Sequence, residues 1–398
     1  MNPWPIARAG LRRRRGTALA MVLLVALGTA LGVGVGALER GLRRGAARAA
    51  DPFDLVVGAP GSTTQLVLTS VYLQPDTVPL LPGAVLARLQ AEPGAAWVSP
   101  IGFGDQWRGH PVVGVAPAFL NLGGRRPLAE GRAFAEESEA VAGALVPLQM
   151  GDSVVPQHGQ AHGGGADHVD SPYKVVGRMP PTGTPWDRAI LVPIESVWEI
   201  HGLGNGHPDG VERVGPPWEQ PAGVPAVVVK PRAISDAYTL RGRYRTDGAM
   251  AVFPGEVLAG LFQVLGDVRS VLAAMAGVTA ALVVASVFLA FAALLAARRR
   301  EFAVLRALGA PPGFVLAVAW TEMAAVLGAG VLGGVLLGGA GAAAAAGVLG
   351  GAAGVAVAVA PGWPEARLAL AVLGGGLLAA AVPAVVAGRR PAGEDLKR

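Results

Sequence analysis

The chain of 398 residues is 52% hydrophobic and only 15% charged, with a formal net charge of +5 and no cysteine. So apolar a composition excludes an ordinary soluble domain, and the missing thiols exclude disulfides and thiolate metal sites. The positive balance comes from arginines at the ends of apolar runs, not from a basic face of the kind nucleic-acid binding needs.

Residues 1–16 form a basic tail with Arg8 and Arg12 to Arg15. The uncharged run 17–38 follows. A bilayer core about 30 Å thick needs roughly 20 apolar helical residues. Runs at 17–38, 271–297 and 368–388 each suffice for one crossing. The first is 22 residues long and is followed by Arg40, Arg43 and Arg44 before Ala47-Arg48-Ala49. Its length reads as an uncleaved signal anchor rather than a secretory signal peptide, whose apolar core is shorter.

Residues 39–268 hold short β-branched runs at 53–59, 95–103, 110–115, 173–179, 188–194 and 225–231, bounded by Gly and Pro, which predict strands. Helical spacing appears at 82–92, 193–202 and 236–245, and 151–171 and 202–223 read as loops. Such a texture predicts a large mixed α+β domain. Pro254 opens a helix that runs as a stalk into a span at 269–297.

Residues 298–312 interrupt the apolar sequence with RRREFAVLRALGAPP. At helical spacing, Phe302, Leu305 and Leu308 fall on one side and Arg299 and Arg306 on another. Gly309 is a natural stop, and Pro311-Pro312 forbids continuation. Two readings stand for the apolar stripe: a solvated anchor with an Arg298–Glu301 pair, or a knob that docks into another protein.

The long run 313–360 is read as one span, 313–345, followed by an Ala/Gly-rich segment, 346–367, that re-enters or lies at the interface. A last span, 368–388, leads into a basic tail, 389–398. Four transmembrane helices result. The arginines before 17–38, those at 298–306 and those after 388 then share one side, and basic flanks mark the cytoplasm. Residues 39–270 carry 19 basic and 23 acidic residues and all six histidines, and are read as extracytoplasmic. Both termini are expected in the cytoplasm and the protein in the plasma (inner) membrane.

Gly28, Gly32 and Gly36 repeat every four residues in the first span, and Gly330, Gly334 and Gly338 do so in the third. Such rows let helices pack closely in lipid. Glu322 is the only charge well inside an apolar run. A proton relay would need a base inside the membrane, so a structural contact is the favoured reading. In 151–171, His158, His162 and His168 stand beside Asp167 and Asp170. Imidazole and carboxylate are natural zinc ligands, though the spacing matches no structural zinc motif and an exposed polar loop is the competing reading.

The string EFAVLRALGA at 301–310, after an Arg-rich run, resembles the coupling segment of the FtsX/MacB family of ABC-transporter permeases, as does the plan of one span, a large outer domain and three more spans. Residues 54–75 and 173–203 resemble one branch of such permeases, usually written Val-Gly-Ala-Lys-Gly-Ser near the start, where this chain has Pro60 in place of the lysine. The resemblance implies a homodimeric membrane subunit, without catalytic groups, that binds no cofactor itself and works with a separate cytoplasmic ABC ATPase holding the ATP. It also implies that Arg298, Glu301, Phe302, Leu305, Arg306, Leu308 and Gly309 engage that ATPase. ATP-driven motion would pass to the outer domain and to an extracytoplasmic adaptor or substrate-binding protein, for export or extraction. His-rich inserts in the similar branch add a link to zinc at 151–171. The residues agree on the energy source: no G-x-x-x-x-G-K-[ST] is present, and the lysines are only those at 174, 230 and 397. An FtsX-type regulator of outer hydrolases is the alternative within the family. A secondary transporter would show polar midplane groups, and a tethered enzyme would show a catalytic motif such as G-x-S-x-G.

Overall fold

A computed structural model of the chain describes residues 2–158, 172–208, 210–245, 248–360 and 362–389. Two compact units are present: Met1–Arg43, Gly266–Leu349 and Val357–Arg398 form one, and Arg44–Leu265 with Gly350–Ala356 forms the other.

In chain order, α1 (Trp4–Arg13) and α2 (Arg15–Ala50) precede β1 (Leu55–Gly58), α3 (Thr63–Ser70), α4 (Gly83–Gln90), β2 (Ala95–Trp107) and β3 (His110–Val115). Then come α5 (Pro117–Leu120), β4 (Glu130–Gly131), β5 (Glu139–Ala142), β6 (Ser153–Val154), β7 (Gln157–His158), β8 (Tyr173–Arg178) and β9 (Ile190–Pro193). The remainder is α6 (Ile194–Ile200), β10 (Ala226–Pro231), α7 (Ile234–Tyr244), β11 (Met250–Val252), α8 (Pro254–Ala297), α9 (Arg299–Ala307), α10 (Pro312–Ala353) and α11 (Trp363–Arg389).

The second unit is built on one mixed sheet of order β11-β1-β10-β2-β3-β9-β5-β8-β4, with β6 on β8 and β7 on β2. Its central strands are buried on both faces, so they are runs of Val and Ala rather than alternations. Along β1 and β10, Val56 and Val228 face one cluster with Phe53, Phe119 and Trp186. Leu55, Val57, Val227 and Val229 face another with Leu86, Leu89 and Trp198. Successive side chains on a strand point to opposite faces, which is why two cores share one strand. The Phe119 and Trp186 rings lie 4.6 Å apart, and the Trp186 indole N–H donates to the carbonyl of Val71 at 3.0 Å.

Short β5 (Glu-Ala-Val-Ala) carries little intrinsic β preference, yet it is buried between β9, antiparallel, and β8, parallel. Glu139 at its start is buried, bonded to both guanidinium nitrogens of Arg132 and to the backbone N–H of Ala135 at 2.8 Å. That Arg132 bond holds its carboxyl below the usual range. The segment 151–171, read as a loop, contains β6 and β7, and β7 pairs with the long β2 at Asp105 and Gln106. Both are two-residue strands, too short to carry a period.

Glu137, just before β5, shows the opposite electrostatics. Burial first, then a hydrogen bond with Glu199, pushes its carboxyl from 4.5 up to about 7. The folded protein therefore holds this proton more tightly than the unfolded chain, and stability falls as pH rises from about 4.5 through about 7. Full-length protein is expected to unfold at a higher temperature at about pH 5.5 than at about pH 8, a difference that Glu137→Gln should reduce. Thermal melts of both forms at the two pH values check this; an unchanged difference in the variant would assign the slope to other groups.

The helical unit has its own core, in which Met21 and Val25 of α2 meet Phe291 and Leu295 of α8, Phe302 of α9, Val318 and Met323 of α10, and Val372 of α11. Among the described residues, three helices are long and apolar enough to cross a membrane: Arg15–Ala50, Pro312–Gly351 and Trp363–Ala381. The apolar stretch found in α8, Val284–Ala293, is shorter. Helix α10 continues past the expected end at 345 to Ala353, because alanine is the strongest helix former. It stops where Gly354 takes φ +66°. Val355 is then buried in the sheet unit's core, and the N–H of Ala356 donates to the carbonyl of Gly183 at 2.9 Å.

Candidate functional site

Where α1, α9 and α10 meet in the helical unit, four charged side chains converge. Arg298 sits at the break between α8 and α9, with φ −102° and ψ 7°. One of its terminal nitrogens reaches both carboxylate oxygens of Glu322 on α10 at 2.5 Å. Its Nε donates to Glu301 at 2.8 Å, and Arg14 donates to the other oxygen of Glu301 at 3.3 Å. Arg298 is 4% exposed and Glu322 2%. Burial works against the charge of Glu301, yet Arg298, Arg14 and Arg13 hold its carboxyl below the ordinary range. A buried charge survives only when paired and hydrogen-bonded, and here an Arg-Glu-Arg-Glu chain meets that condition. Gly10 of α1 passes so close over Glu322 that a Cβ would have no room. A void of about 20 Å³, lined in part by Gly10, Arg298, Glu322 and Met323, lies beside the pair.

Glu322 is therefore joined to a base that the sequence places outside any apolar run. The Arg298–Glu301 spacing of three residues is present too, but Arg298 turns mainly toward Glu322. That partner lies 24 residues away, across a helix break, where no local spacing rule reaches.

Helix α9 does not present the stripe as spacing proposed it. Phe302 is 6% exposed, points into the core and lies with its ring 4.8 Å from the Arg298 guanidinium carbon. Leu308 is 80% exposed and Val304 49%. At roughly 100° per residue, Phe302 and Leu308 stand about 120° apart around the helix, whereas Val304 and Leu308 are one turn apart. The outward apolar pair is Val304 and Leu308, with Leu305 and Arg306 half-buried beside it. Val304 stands four residues before Leu308, a spacing that puts the two on one face. Gly309 takes φ +92° and ends α9.

The glycine rows separate into two interfaces. A Cβ on Gly330 would come within 2.6 Å of Val25, one on Gly334 within 2.5 Å of Thr29, and one on Gly338 within 2.5 Å of the Ala30 carbonyl oxygen, so this row lies directly against α2. On α2, Gly32 faces Leu368 and Gly36 faces Glu365, both of α11, while Gly28 is half-buried. Gly34 of α2, outside the four-residue row, also approaches Gly338, with a Cβ position 3.3 Å from the Gly338 carbonyl oxygen. A second ion pair fastens α2 to α11: half-buried Arg40 bonds buried Glu365, whose other oxygen accepts the Gly362 N–H at 2.8 Å. Neither Arg40 nor Glu365 was singled out in the sequence, since each lies at the end of an apolar run where charges are routine.

His162, His168, Asp167 and Asp170 lie outside the described residues, and His158 lies on β7. Among the described residues, no three His, Asp or Glu side chains are grouped to hold a metal ion.

Residues 273–395 match the family model described as FtsX-like permease C-terminal. No curated protein matches the chain. Among solved structures, the periplasmic region of MacB from Actinobacillus actinomycetemcomitans is similar at 10% identity and a TM-score of 0.33, over 53% of this chain and 94% of that one. The extracellular domain of YknZ, a noncanonic ABC-type transporter from Gram-positive bacteria, is similar at 10% identity and a TM-score of 0.30, over 50% of this chain and 98% of that one.

Proposed function

We propose, from the match of residues 273–395 to the FtsX-like permease C-terminal family, that this chain is the non-catalytic membrane subunit of an ABC-type transporter, driven by an ATPase on a separate chain. In this reading α2, α8, α10 and α11 supply four spans, both termini and α9 are cytoplasmic, and the sheet unit is extracytoplasmic. Two copies associate, and ATP-driven closure of the ATPases moves the outer domain rather than opening a path through the helices.

The exposed face of α9 supports the coupling most directly. Val304 and Leu308 turn out of a helix whose other side is fixed by Phe302 and by the Arg298 ion pairs. Apolar side chains on a short helix between spans need a cover, and a groove on a partner protein supplies one. The base of the knob is joined to α10 by the bonds of Arg298 to Glu301 and Glu322, which gives a force on α9 a path to α10.

Val304→Asp together with Leu308→Asp is expected to remove co-purification of the ATPase, with a loss of roughly 2 kcal/mol or more for a central contact. Both side chains are exposed, so the melting temperature should stay within about 1–2 °C of the wild type. The check is pull-down of the ATPase from membranes with tagged permease, beside a melt of the purified variant. Undiminished pull-down by a folded, inserted variant would refute coupling through this face.

A further inference from the structure

The α1–α2 elbow carries a second feature, a groove that α9 does not line. Ile6, Ala7 and Leu11 pack α1 into the helical core, which fixes the helix and turns Arg8 and Arg12 outward. Arg8 and Arg12 are one turn apart on α1, and Arg15, exposed at the start of α2 beyond the elbow, lines the same groove. These three arginines line one rim of a groove of about 650 Å³ between the elbow and α10. Its walls are apolar: Leu19 and Val22 on one side, Ala325 and Ala329 on the other. Two alanines one turn apart keep the groove wide, and Gly16 at its mouth has nothing within 4 Å of its Cβ position. Every ion pair of Arg13 and Arg14 is with Glu301, whereas no carboxylate among the described residues pairs with Arg8, Arg12 or Arg15.

We propose that this groove binds one anionic phospholipid, with its phosphate against Arg8, Arg12 and Arg15 and an acyl chain along Leu19, Val22, Ala325 and Ala329. Charge and shape choose the occupant together. Guanidinium groups match phosphate oxygens in geometry and sign, and basic pockets between membrane helices are suited to anionic headgroups. The apolar walls continue along α2 and α10, two helices long enough to cross a bilayer, so a headgroup at the rim places its tail in the groove. Trp4, 47% exposed one turn before Arg8, is the aromatic residue expected at such a level. The site rests on the reading that α2 and α10 lie in a membrane.

Native mass spectrometry of the full chain tests it, after incubation in detergent with equal amounts of phosphatidylglycerol and phosphatidylcholine. The wild type should retain phosphatidylglycerol about a hundredfold over phosphatidylcholine, since each of the three arginines should account for roughly a fivefold share. Arg8→Gln with Arg12→Gln and Arg15→Gln should abolish the preference. Ala329→Phe, which fills the groove and leaves the arginines, should lower phosphatidylglycerol retention while the protein still melts as the wild type does. Equal retention of the two lipids by the wild type, or an unaltered preference in the triple variant, would overturn the proposal. Displacement of the lipid by excess inorganic phosphate would overturn it in favour of a free-anion site. A triple variant that loses self-association along with the lipid would assign the groove to a second copy of the chain. Retention of neither lipid by a wild type that fractionates with membranes would overturn the site, whereas a wild type recovered in the soluble fraction without detergent would instead refute the membrane placement of these helices.

Discussion

Replacing Glu322 by leucine is expected to destabilise the helical unit by roughly 3–5 kcal/mol, the usual cost of leaving one member of a buried ion pair without its partner. Arg298 and Glu322 have side chains 5% and 3% exposed, so solvent screens them little. Loss of the carboxylate leaves Arg298 with Glu301 alone, and Glu301 is the more exposed partner at 36%. A double variant, Arg298→Leu with Glu322→Leu, should recover most of that loss, because an apolar pair of similar volume removes the desolvation cost along with the attraction. Melts of both single variants and the double in detergent complete the cycle. A Glu322→Leu protein that melts with the wild type would mean the pair contributes nothing to the fold. The same pair links α9 to α10, so under the coupling proposed above Glu322→Leu is also the variant in which ATPase binding and its consequence should separate.

The second large effect belongs to the α2–α10 contact. Gly338→Val should cost roughly 1–3 kcal/mol or more, since overpacking a close interface forces backbone to move. A Cβ there falls 2.5 Å from the Ala30 carbonyl oxygen and 3.0 Å from its Cα, neither of which can rotate aside. Gly339 provides the control one position along: its Cβ would meet nothing within 4 Å, so Gly339→Ala should be neutral or gain up to about 1 kcal/mol in helix propensity. Thermal unfolding of the two single variants decides it. Equal melting temperatures would show that α2 and α10 do not pack through this row.

Much of the architecture was legible, and what escaped did so for identifiable reasons. Strands at 53–59, 95–103, 110–115, 173–179, 188–194 and 225–231 correspond to β1, β2, β3, β8, β9 and β10, because long buried strands concentrate β-branched residues between Gly and Pro. Strands β4 to β7 are two to four residues long, or alanine-rich, and exist only because a neighbour pairs with them. Helix α3 was missed although Ser62 caps it, its side chain accepting from the Gln65 N–H at 3.2 Å. At 298–310 the helix and its glycine stop were readable from period and composition. Its inward face was not, because the partners of Arg298 and Phe302 come from elements distant in sequence. For the same reason the glycine row at 330–338 stood out by spacing alone, while Gly34 is recognisable only once Gly338 lies opposite it.

The Arg40–Glu365 pair has a temporal side. Its members are separated by 325 residues, so the arginine leaves the ribosome long before its carboxylate exists. At about 5–20 residues per second, it waits roughly 15–65 s for a mate. Throughout that interval the newly made helix carries Arg40 with only Glu39, already paired to Arg43, as a carboxylate on the same helix. A chain broken off before Trp363 never closes the gap, and the contact between α2 and α11 that the pair fastens cannot form.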